Sequence, residues 1–213
     1  MVQDDSDKII FPPPESADED GVVAVSQDLN TAMLLEAYSR GIFPWPVEEE
    51  YILWFLPAQR AILEFDDFVI TSKVRRELRK REFSFTINEH FDEVIVNCAQ
   101  VKRSDDSGTW ITPNIIKAYQ EFHRQGYAWS FETLNATGQL VGGLYGIKIG
   151  HYFAGESMFY HSSGASKFAL INTVNYLKEV CGISWIDGQV INPFLSRFGF
   201  KEIPRQAFLN MIN

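Results

Sequence analysis

Apolar residues recur at helical spacing in several stretches of the chain. Met33, Leu34, Ala37 and Tyr38 fall on one side of the first stretch, which predicts a helix over 31–40. Capping residues and glycine stops indicate further helices along the chain. These are predicted at 71–81, 88–100, 112–125 and 164–180, with a short helix that begins at Asn192.

Alternation of apolar with small or polar residues predicts strands in the second half of the chain. The segments 128–134 and 139–148 flank the turn sequence NATG, which is typical of a hairpin. Further extended segments are predicted at 61–70, 151–160, 183–187 and 200–203, and the aromatic, proline-rich stretch 42–57 is predicted to be a loop. This order of elements predicts an α+β fold. A small N-terminal helical or mixed domain is expected over 21–62, followed by a mixed-sheet domain over 63–213.

Charge is distributed unevenly along this chain of 213 residues, whose formal net charge is −9. Residues 1–20 hold seven acidic side chains against Lys8, a net of −6, and this segment is predicted to be an acidic, partly disordered tail. Residues 71–82 hold six basic and two acidic side chains, a net of +4. A helix of this charge can hold phosphate groups although the protein is acidic. Its basic residues are Lys73, Arg75, Arg76, Arg79, Lys80 and Arg81.

The chain also lacks the usual signs of a secreted or membrane protein. Its longest apolar runs fall short of the roughly 20 residues that span a bilayer, and acids stand at the N-terminus where a secretory signal carries positive charge. The two cysteines, Cys98 and Cys181, are typical of buried thiols in a reduced cytoplasm. We therefore expect a soluble cytoplasmic protein that makes no membrane contact.

Several common catalytic motifs are absent from the sequence. The four histidines are scattered and form no H-E-x-x-H motif, and neither a Walker loop nor a G-x-S-x-G elbow occurs. No metal and no cofactor are expected on these grounds. Gly142, Gly143 and Gly146 lie within a predicted strand, where glycine is typical of a bulge or a close approach by another group.

Two tryptophans lie at positions suited to contact with a flat ligand. Trp45 stands between Pro44 and Pro46, and Trp110 lies just before the capping residue of the helix predicted from 112. One interpretation is that these rings fill the interface between the two domains. The other is that they clamp a base between them, since stacking of this kind contributes about 1–3 kcal/mol per base.

Two further motifs place carboxylates among apolar residues. In FAGESMF (153–159) the alternation predicts that Phe153, Ser157 and Phe159 share one face of a strand, with Glu156 on the other face. In WIDGQ (185–189) an apolar strand is predicted to lead directly into Asp187 and Gln189. A surface-facing strand glutamate and a simple Asp-Gly turn remain alternatives to a functional site at these positions.

Read together, these motifs resemble the leucyl/phenylalanyl-tRNA–protein transferase family. The matching stretches occur in the family's order and span 11–205. They are FPPPE, LLEAYSRGIFPW, ILWFLPAQRAIL, GTWIT, LVGGLYG, FAGESMF, ASK, WIDGQVIN and EIPR.

The resemblance implies a GNAT-like catalytic domain and the transfer of Leu or Phe from a charged tRNA to acceptor proteins that begin with Arg or Lys. Such a transfer marks the acceptor for degradation in the bacterial N-degron pathway. By motif position, the implied catalytic residues are Glu156, Asp187 and Gln189. The implied substrate-binding residues are Trp45, Trp110, Leu144, Phe153, Ser157, Met158, Thr173 and Ile186. The implied partners are Leu-tRNA or Phe-tRNA, held on the basic helix 71–82, and the acceptor protein, and the transferase itself is expected to be a monomer.

The chain departs from the family pattern at 26–27 and 56–59, and Thr173 stands where the family commonly has a large aromatic residue. The last change predicts a wider side-chain pocket and leaves the donor preference open. Two other functions remain alternatives: an acyl-CoA-dependent GNAT enzyme, for which the glycine-rich pyrophosphate loop is missing, and a non-catalytic adaptor that binds tRNA or basic N-termini.

Overall fold

A computed structural model of the protein describes residues 11–48, 51–101 and 110–212. Of the expected tail, 1–10 lie outside the described residues, and so does most of the segment 101–108, for which a mobile loop was predicted from its polarity. Residues 11–20 are described, and Phe11 is buried against Trp54 at a ring-centroid distance of 4.7 Å. The second half of the acidic segment is therefore attached to the core.

Seven α-helices lie within the described residues, and three of them begin after a capping residue that the sequence had indicated. Thr71 and Thr112 accept hydrogen bonds from the backbone amides of Val74 and Ile115, and Asn192 caps its short helix in the same way. The helices are α1 (Thr31–Ser39), α2 (Ser72–Leu78), α3 (Phe91–Ala99), α4 (Pro113–Arg124), α5 (Ala165–Glu179), α6 (Pro193–Ser196) and α7 (Arg205–Ile212).

Ten strands, counted over the same described ranges, form two sheets. Their bounds are β1 (Val22–Ser26), β2 (Phe43–Glu48), β3 (Tyr51–Phe55), β4 (Gln59–Glu64), β5 (Ser84–Ile87), β6 (Ala128–Leu134), β7 (Leu140–Ile149), β8 (Tyr152–Tyr160), β9 (Trp185–Gln189) and β10 (Lys201–Pro204). The small sheet has the order β1-β3-β2, and the large sheet has the order β10-β4-β9-β8-β7-β6-β5. Every pair in the large sheet is antiparallel except β8 and β9, which are parallel and joined by α5. The predicted α+β class is confirmed.

The two sheets share one apolar core. Buried residues of α1 and the small sheet, such as Leu34 and Trp54, belong to the same cluster as Val94 of α3 and Tyr145 of β7. A second cluster fills the other face of the large sheet beneath α5. The predicted domain boundary at 62/63 falls inside β4, which pairs with β9 and β10.

The prediction of a loop at 42–57 is wrong, because β2 and β3 form an antiparallel pair there. Pro44 and Pro46 were interpreted as breaks in extended structure, but β2 lies at the edge of the small sheet. Proline is tolerated on an edge strand because the missing amide hydrogen leaves no neighbouring strand unpaired.

Three boundaries also differ from the prediction. The extended segment predicted at 61–70 ends at Glu64 in β4, because a 3-10 turn follows over Phe65–Asp67. The helix predicted from Asn88 begins after His90, because Asn88 has a φ of 60° and its side chain accepts a hydrogen bond from the Ser130 amide instead. The strand predicted at 183–187 runs over 185–189, so Asp187 and Gln189 lie within the strand. Strands β1 and β5 and helix α7 were not predicted at all.

The predicted close approach at the glycines of β7 is confirmed. A Cβ atom at Gly142 would lie 2.5 Å from the Cβ of Ala165, so this glycine lets the start of α5 rest directly on β7. Gly146 lies beside an irregularity in the pairing of β7 with β8, where Tyr145 pairs with Ser157 and Gly146 pairs with Gly155. Glu156 is the extra residue on β8 at this point.

Candidate active site

A cleft of about 810 Å³ opens beside β7, β8 and β9 and extends to α3 and α5. It is lined by the three residues expected to be catalytic and by the eight expected to bind substrate. These are Glu156, Asp187 and Gln189, together with Trp45, Trp110, Leu144, Phe153, Ser157, Met158, Thr173 and Ile186. The motifs therefore converge on one site although they are spread over most of the chain.

The bulge at Glu156 decides which side chains face the cleft. A β-bulge adds one residue to a strand, so the alternation of faces changes phase across it. Phe153 packs in the cluster beneath α5, whereas Phe159 packs in the cluster shared with α1. The prediction that these two phenylalanines share a face is therefore wrong, because it assumed an unbroken strand.

The Glu156 carboxylate meets hydroxyl and amide groups from other elements. Its Oε1 atom accepts a hydrogen bond of 2.6 Å from Nε2 of Gln189, and the hydroxyl of Tyr38 also hydrogen-bonds to it. The Tyr38 and Tyr119 hydroxyls lie 2.6 Å apart and tie α1 to α4 beside this carboxylate. The Tyr38 carbonyl accepts a hydrogen bond from the hydroxyl of Tyr152. Glu156 is therefore held by a hydrogen-bond network that links α1 and α4 to strands β8 and β9 of the large sheet.

Desolvation by surrounding protein atoms raises the pKa of Glu156 to about 8. The Tyr38 hydrogen bond opposes this rise, while the nearby Asp187 carboxylate adds to it. Burial likewise raises the pKa of both Tyr38 and Tyr119 well above the ordinary tyrosine value. Near neutral pH both tyrosines are thus neutral hydrogen-bond donors, and Glu156 is able to change its charge.

Asp187 is surrounded differently. Its two carboxylate oxygens accept bonds of 2.8 and 2.6 Å from Nε and Nη2 of Arg60 on β4, and both side chains are buried. Its Oδ1 atom also accepts a 2.8 Å hydrogen bond from the backbone amide of Gln189. The simple Asp-Gly turn considered from the sequence is replaced by a bulge within β9, where Gly188 is the extra residue opposite β4 and the Asp187 side chain bonds the amide two residues on.

One end of the cleft is an apolar pocket beneath α5. Leu144, Phe153, Met158 and Ile186 line it and belong to the cluster that fills this face of the sheet. Thr173 is fully buried and donates its hydroxyl to the carbonyl of Ala169, 2.8 Å away, within α5. Since this hydroxyl is already hydrogen-bonded, a ligand would meet the methyl side of Thr173 and an apolar surface throughout.

Trp45 and Trp110 lie at the mouth of the cleft and stack on each other. Their ring centroids are 5.9 Å apart and their planes differ by 13°. A base inserted between two parallel rings needs about 7 Å, twice the ~3.4 Å stacking distance. The rings are thus nearly parallel, as a clamp requires, and they would have to move apart to admit a base.

The basic helix lies beside the cleft and does not line it. All six of its predicted phosphate-binding side chains are exposed, and α2 is shorter than predicted because a turn replaces its last residues. Glu77 on its other side accepts hydrogen bonds of 2.7 Å from both Ser163 and Lys167 at the start of α5. On the same helix, Ser166, Leu170 and Thr173 line the cleft. Helix α2 is therefore attached to the start of α5, an element that lines the cleft.

Three polar residues at this site received no role from the sequence: Arg60, Tyr38 and Tyr119. Arg60 was noted only as part of a matching stretch, Tyr38 was interpreted as part of the apolar side of its helix, and Tyr119 was not singled out. An arginine within the apolar run of β4 is the one local signal that could have drawn attention to it, because arginine is rarely buried unless it is paired.

Two general observations concern the described residues as a whole. Within the described ranges, no three His, Cys, Asp or Glu side chains come together as a set of metal ligands. None of the helices in the same ranges is both long and apolar enough to cross a membrane.

Comparison with known proteins gives a consistent result. The family model described as leucyl/phenylalanyl-tRNA protein transferase matches 62–213, and the model of that family's N-terminal domain matches 27–58. The chain is similar to the leucyl/phenylalanyl-tRNA–protein transferase of Flavobacterium johnsoniae, with 47% identity over 96% of this chain and 95% of the relative. Its identity to the enzyme of the same name from Syntrophobacter fumaroxidans is 44%, over 97% of this chain and 88% of the relative.

Among solved structures, the crystal structure of FemX resembles the chain in fold. It aligns with a TM-score of 0.50 and 11% identity over 85% of this chain and 71% of FemX. The mixed sheet with one parallel pair around α5 is GNAT-like, as expected.

Proposed function

Because this chain belongs to the leucyl/phenylalanyl-tRNA–protein transferase family, we propose that its cleft transfers Leu or Phe from an aminoacyl-tRNA to the N-terminal α-amino group of an acceptor protein. The acceptors we propose are proteins that begin with Arg or Lys, which the added residue marks for degradation. The enzyme acts as an aminoacyltransferase in the cytoplasm and as a monomer.

One observation carries this proposal: an apolar pocket and a pair of stacked tryptophans lie at two parts of one cleft, with Glu156 and Gln189 also on its wall. An aminoacyl-adenosine has the same three parts. Its side chain fits the apolar pocket, its adenine fits between Trp45 and Trp110, and its α-amino group faces Glu156.

The reaction needs little chemical assistance from the protein. The nitrogen of the acceptor's amine attacks the carbonyl carbon of the ester, the bond from that carbon to the ribose oxygen breaks, and an amide forms. A free α-amino group has a pKa of about 7.7–8.0, so a useful fraction is neutral near pH 7. The proton lost by the attacking nitrogen passes to the departing ribose oxygen, so atoms and charge balance.

Gln189 is suited to hold the attacking amine in place. Its Nε2 atom donates to Glu156, so its Oε1 atom is directed elsewhere in the cleft and can accept a hydrogen bond from the amine. Fixing two reactants in this way lowers the barrier by removing the entropy cost of bringing them together. Asp187 supports the reaction through Gln189, since its own oxygens are engaged by Arg60.

The rest of the tRNA is proposed to bind along α2. The exposed basic residues of that helix are Lys73, Arg75, Arg76, Arg79, Lys80 and Arg81. Binding through such contacts weakens steeply as salt rises.

The proposal is tested by incubating the purified protein with Phe-tRNA or Leu-tRNA and a peptide that begins with Arg. We expect the peptide to gain the mass of one Phe or Leu residue, and the gain to disappear after ribonuclease treatment of the donor. A matched peptide with an acetylated N-terminus should gain nothing. Binding of tRNA without any gain of mass would refute catalysis and favour an adaptor.

The donor preference is tested at Thr173. We expect Thr173→Phe to fill part of the apolar pocket and to lower kcat/KM for Phe-tRNA by about tenfold relative to Leu-tRNA, since overfilled apolar sites disfavour the larger group. Thr173→Val, which keeps the shape, is the matched control and should leave the ratio of the two donors unchanged.

A further inference from the structure

Arg60 is an unusual residue for the interior of a protein. It has no exposed surface, and its guanidinium forms a two-bond pair with Asp187. Removing two charges from water is costly, and a buried ion pair is seldom more stabilising than apolar residues of the same size. A role in positioning neighbouring side chains therefore explains the presence of Arg60 better than a contribution to the stability of the fold.

Gln189 supplies the second observation. Its φ is 60°, in the left-handed region that residues other than glycine rarely adopt. Such strain persists only where the surrounding structure holds it, and it concentrates at functional sites. The hydrogen bond from the Gln189 amide to Oδ1 of Asp187 holds this conformation.

The same bonds occupy both side-chain oxygens of Asp187. Its side chain is fully buried, and both oxygens accept bonds from Arg60. Asp187 therefore influences the cleft through the conformation of Gln189, whose amide in turn meets Glu156.

Two aromatic rings pack against the guanidinium of Arg60, one from the N-terminal part of the chain and one from the C-terminal helix. Its central carbon lies 4.6 Å from the ring centroid of Phe43 on β2 and 4.4 Å from that of Phe208 on α7. A guanidinium over the face of an aromatic ring is attracted to it, more strongly when water is excluded. Phe208 also packs edge-on against Trp185 at the start of β9, with centroids 6.0 Å apart.

We propose that Arg60 is a positioning residue for Gln189, that it acts through Asp187, and that docking of α7 through Phe208 sets its orientation. The C-terminal helix α7 thus controls the reaction from behind the cleft, although none of its residues lines the cleft. This inference rests on the proposed transfer reaction for its kinetic test.

The first test is Arg60→Lys in the full-length protein. Lysine keeps the positive charge but cannot make two parallel bonds to a carboxylate. We expect kcat to fall by about a hundredfold, the loss typical of a misplaced catalytic group. The KM for donor and acceptor should stay within about twofold. The Arg60→Lys/Asp187→Asn double variant should be no slower than the slower single variant, because both changes break one unit.

The second test separates position from stability. Phe208→Leu removes a ring over Arg60, and Phe122→Leu removes a fully buried ring of α4 that stacks on Tyr127 instead. At a temperature where both variants are folded, only Phe208→Leu should lower kcat. An equal loss of kcat in Phe208→Leu and Phe122→Leu would overturn the inference. Additive losses of kcat in the Arg60→Lys/Asp187→Asn double variant, or a rise of KM with unchanged kcat in Arg60→Lys, would overturn it as well.

The proposed function and this inference can fail separately. A wild-type protein that transfers nothing would refute the function. The inference is then decided by the backbone amide resonance of Gln189 in the full-length protein. Arg60→Lys and Phe208→Leu should shift that resonance while Phe122→Leu leaves it in place, and a resonance that none of them moves would overturn the inference.

Discussion

Two carboxylates in the cleft lie close together yet have opposite surroundings. Asp187 is paired with the guanidinium of Arg60. No cation among the described residues pairs with Glu156 in this way, and its hydrogen-bond partners are an amide and a tyrosine hydroxyl. A charge that is paired in the interior is fixed, whereas one that meets only neutral donors is costly enough to be lost by protonation near neutral pH.

The difference indicates two separate tasks. The Asp187 side of the site keeps Gln189 in a strained conformation. The Glu156 side can exchange a proton in the pH range in which an α-amino group also does. The predictions below test this division, from the largest expected effect to the smallest.

Asp187→Asn should cause the largest loss. It leaves the buried charge of Arg60 without a counter-charge, so we expect the free energy of unfolding to fall by about 3–5 kcal/mol. The rate of transfer should fall by about a hundredfold where the variant is still folded. Urea unfolding and single-turnover kinetics measure the two losses.

Asp66→Asn is the matched control for this change. Asp66 is paired with Lys178, but its side chain is 95% exposed, and exposed pairs contribute little to stability. A similar loss of stability in both variants would show that burial of the Arg60–Asp187 pair is unimportant.

Glu156→Gln should change how stability depends on pH. Because the pKa of Glu156 is about 8 in the folded protein, against an ordinary glutamate value of 4.5 that applies to the unfolded chain, the folded state binds more protons between these values. The contribution of Glu156 to stability is then greatest below pH 4.5 and declines as the pH rises towards 8, by at most about 1.4 kcal/mol per unit. Glu156→Gln should lack this decline, which urea unfolding from about pH 5 to 9 will measure.

Glu121→Gln provides the comparison for a carboxylate on the surface. Hydrogen bonds from Arg124 and Gln125 lower the pKa of Glu121, so its replacement should leave the slope over that pH range as it is in the wild type. If wild type and Glu156→Gln show the same slope, the contrast between the two buried carboxylates fails.

Local sequence patterns were sufficient for much of the fold and for the strands that carry Glu156 and Asp187. The hairpin of β6 and β7 and the helices α4 and α5 follow from alternation, caps and glycines within each segment. The motifs around Glu156 and Asp187 identified the cleft because each carries its polar residue inside an otherwise apolar strand.

Contacts between distant segments were not predictable in this way. Arg60 is 127 positions from Asp187, and nothing near either residue identifies the other as its partner. The bulge at Glu156 depends on the pairing of β8 with β7, so alternation within β8 alone gave the wrong face for Phe159. The prolines of β2 were misinterpreted because edge position is a property of the whole sheet.

Tyr38→Phe should have the smallest effect and should sharpen the comparison further. The variant loses the hydroxyl that bonds to Tyr119 and to Glu156, a loss of about 1 kcal/mol in the free energy of unfolding. Because this hydrogen bond lowers the pKa of Glu156, its removal should raise that pKa above 8. The contribution of Glu156 is obtained by subtracting the free energies of unfolding of Glu156→Gln from those of the protein with Glu156 at each pH. In Tyr38→Phe, the pH range over which this contribution declines should move upward.

The Asp187 side should not respond to Tyr38→Phe, since Asp187 is held by Arg60 and the Gln189 amide. The backbone resonance of Gln189 at about pH 6, where Glu156 is protonated in both proteins, is therefore expected to stay in place. Tyr176→Phe on α5 serves as the control, because its ring packs with Trp129 and Phe131 on the opposite face of the sheet. A Gln189 resonance that moved with Tyr38→Phe but not with Tyr176→Phe would mean that the two carboxylates form one coupled unit and not two independent ones.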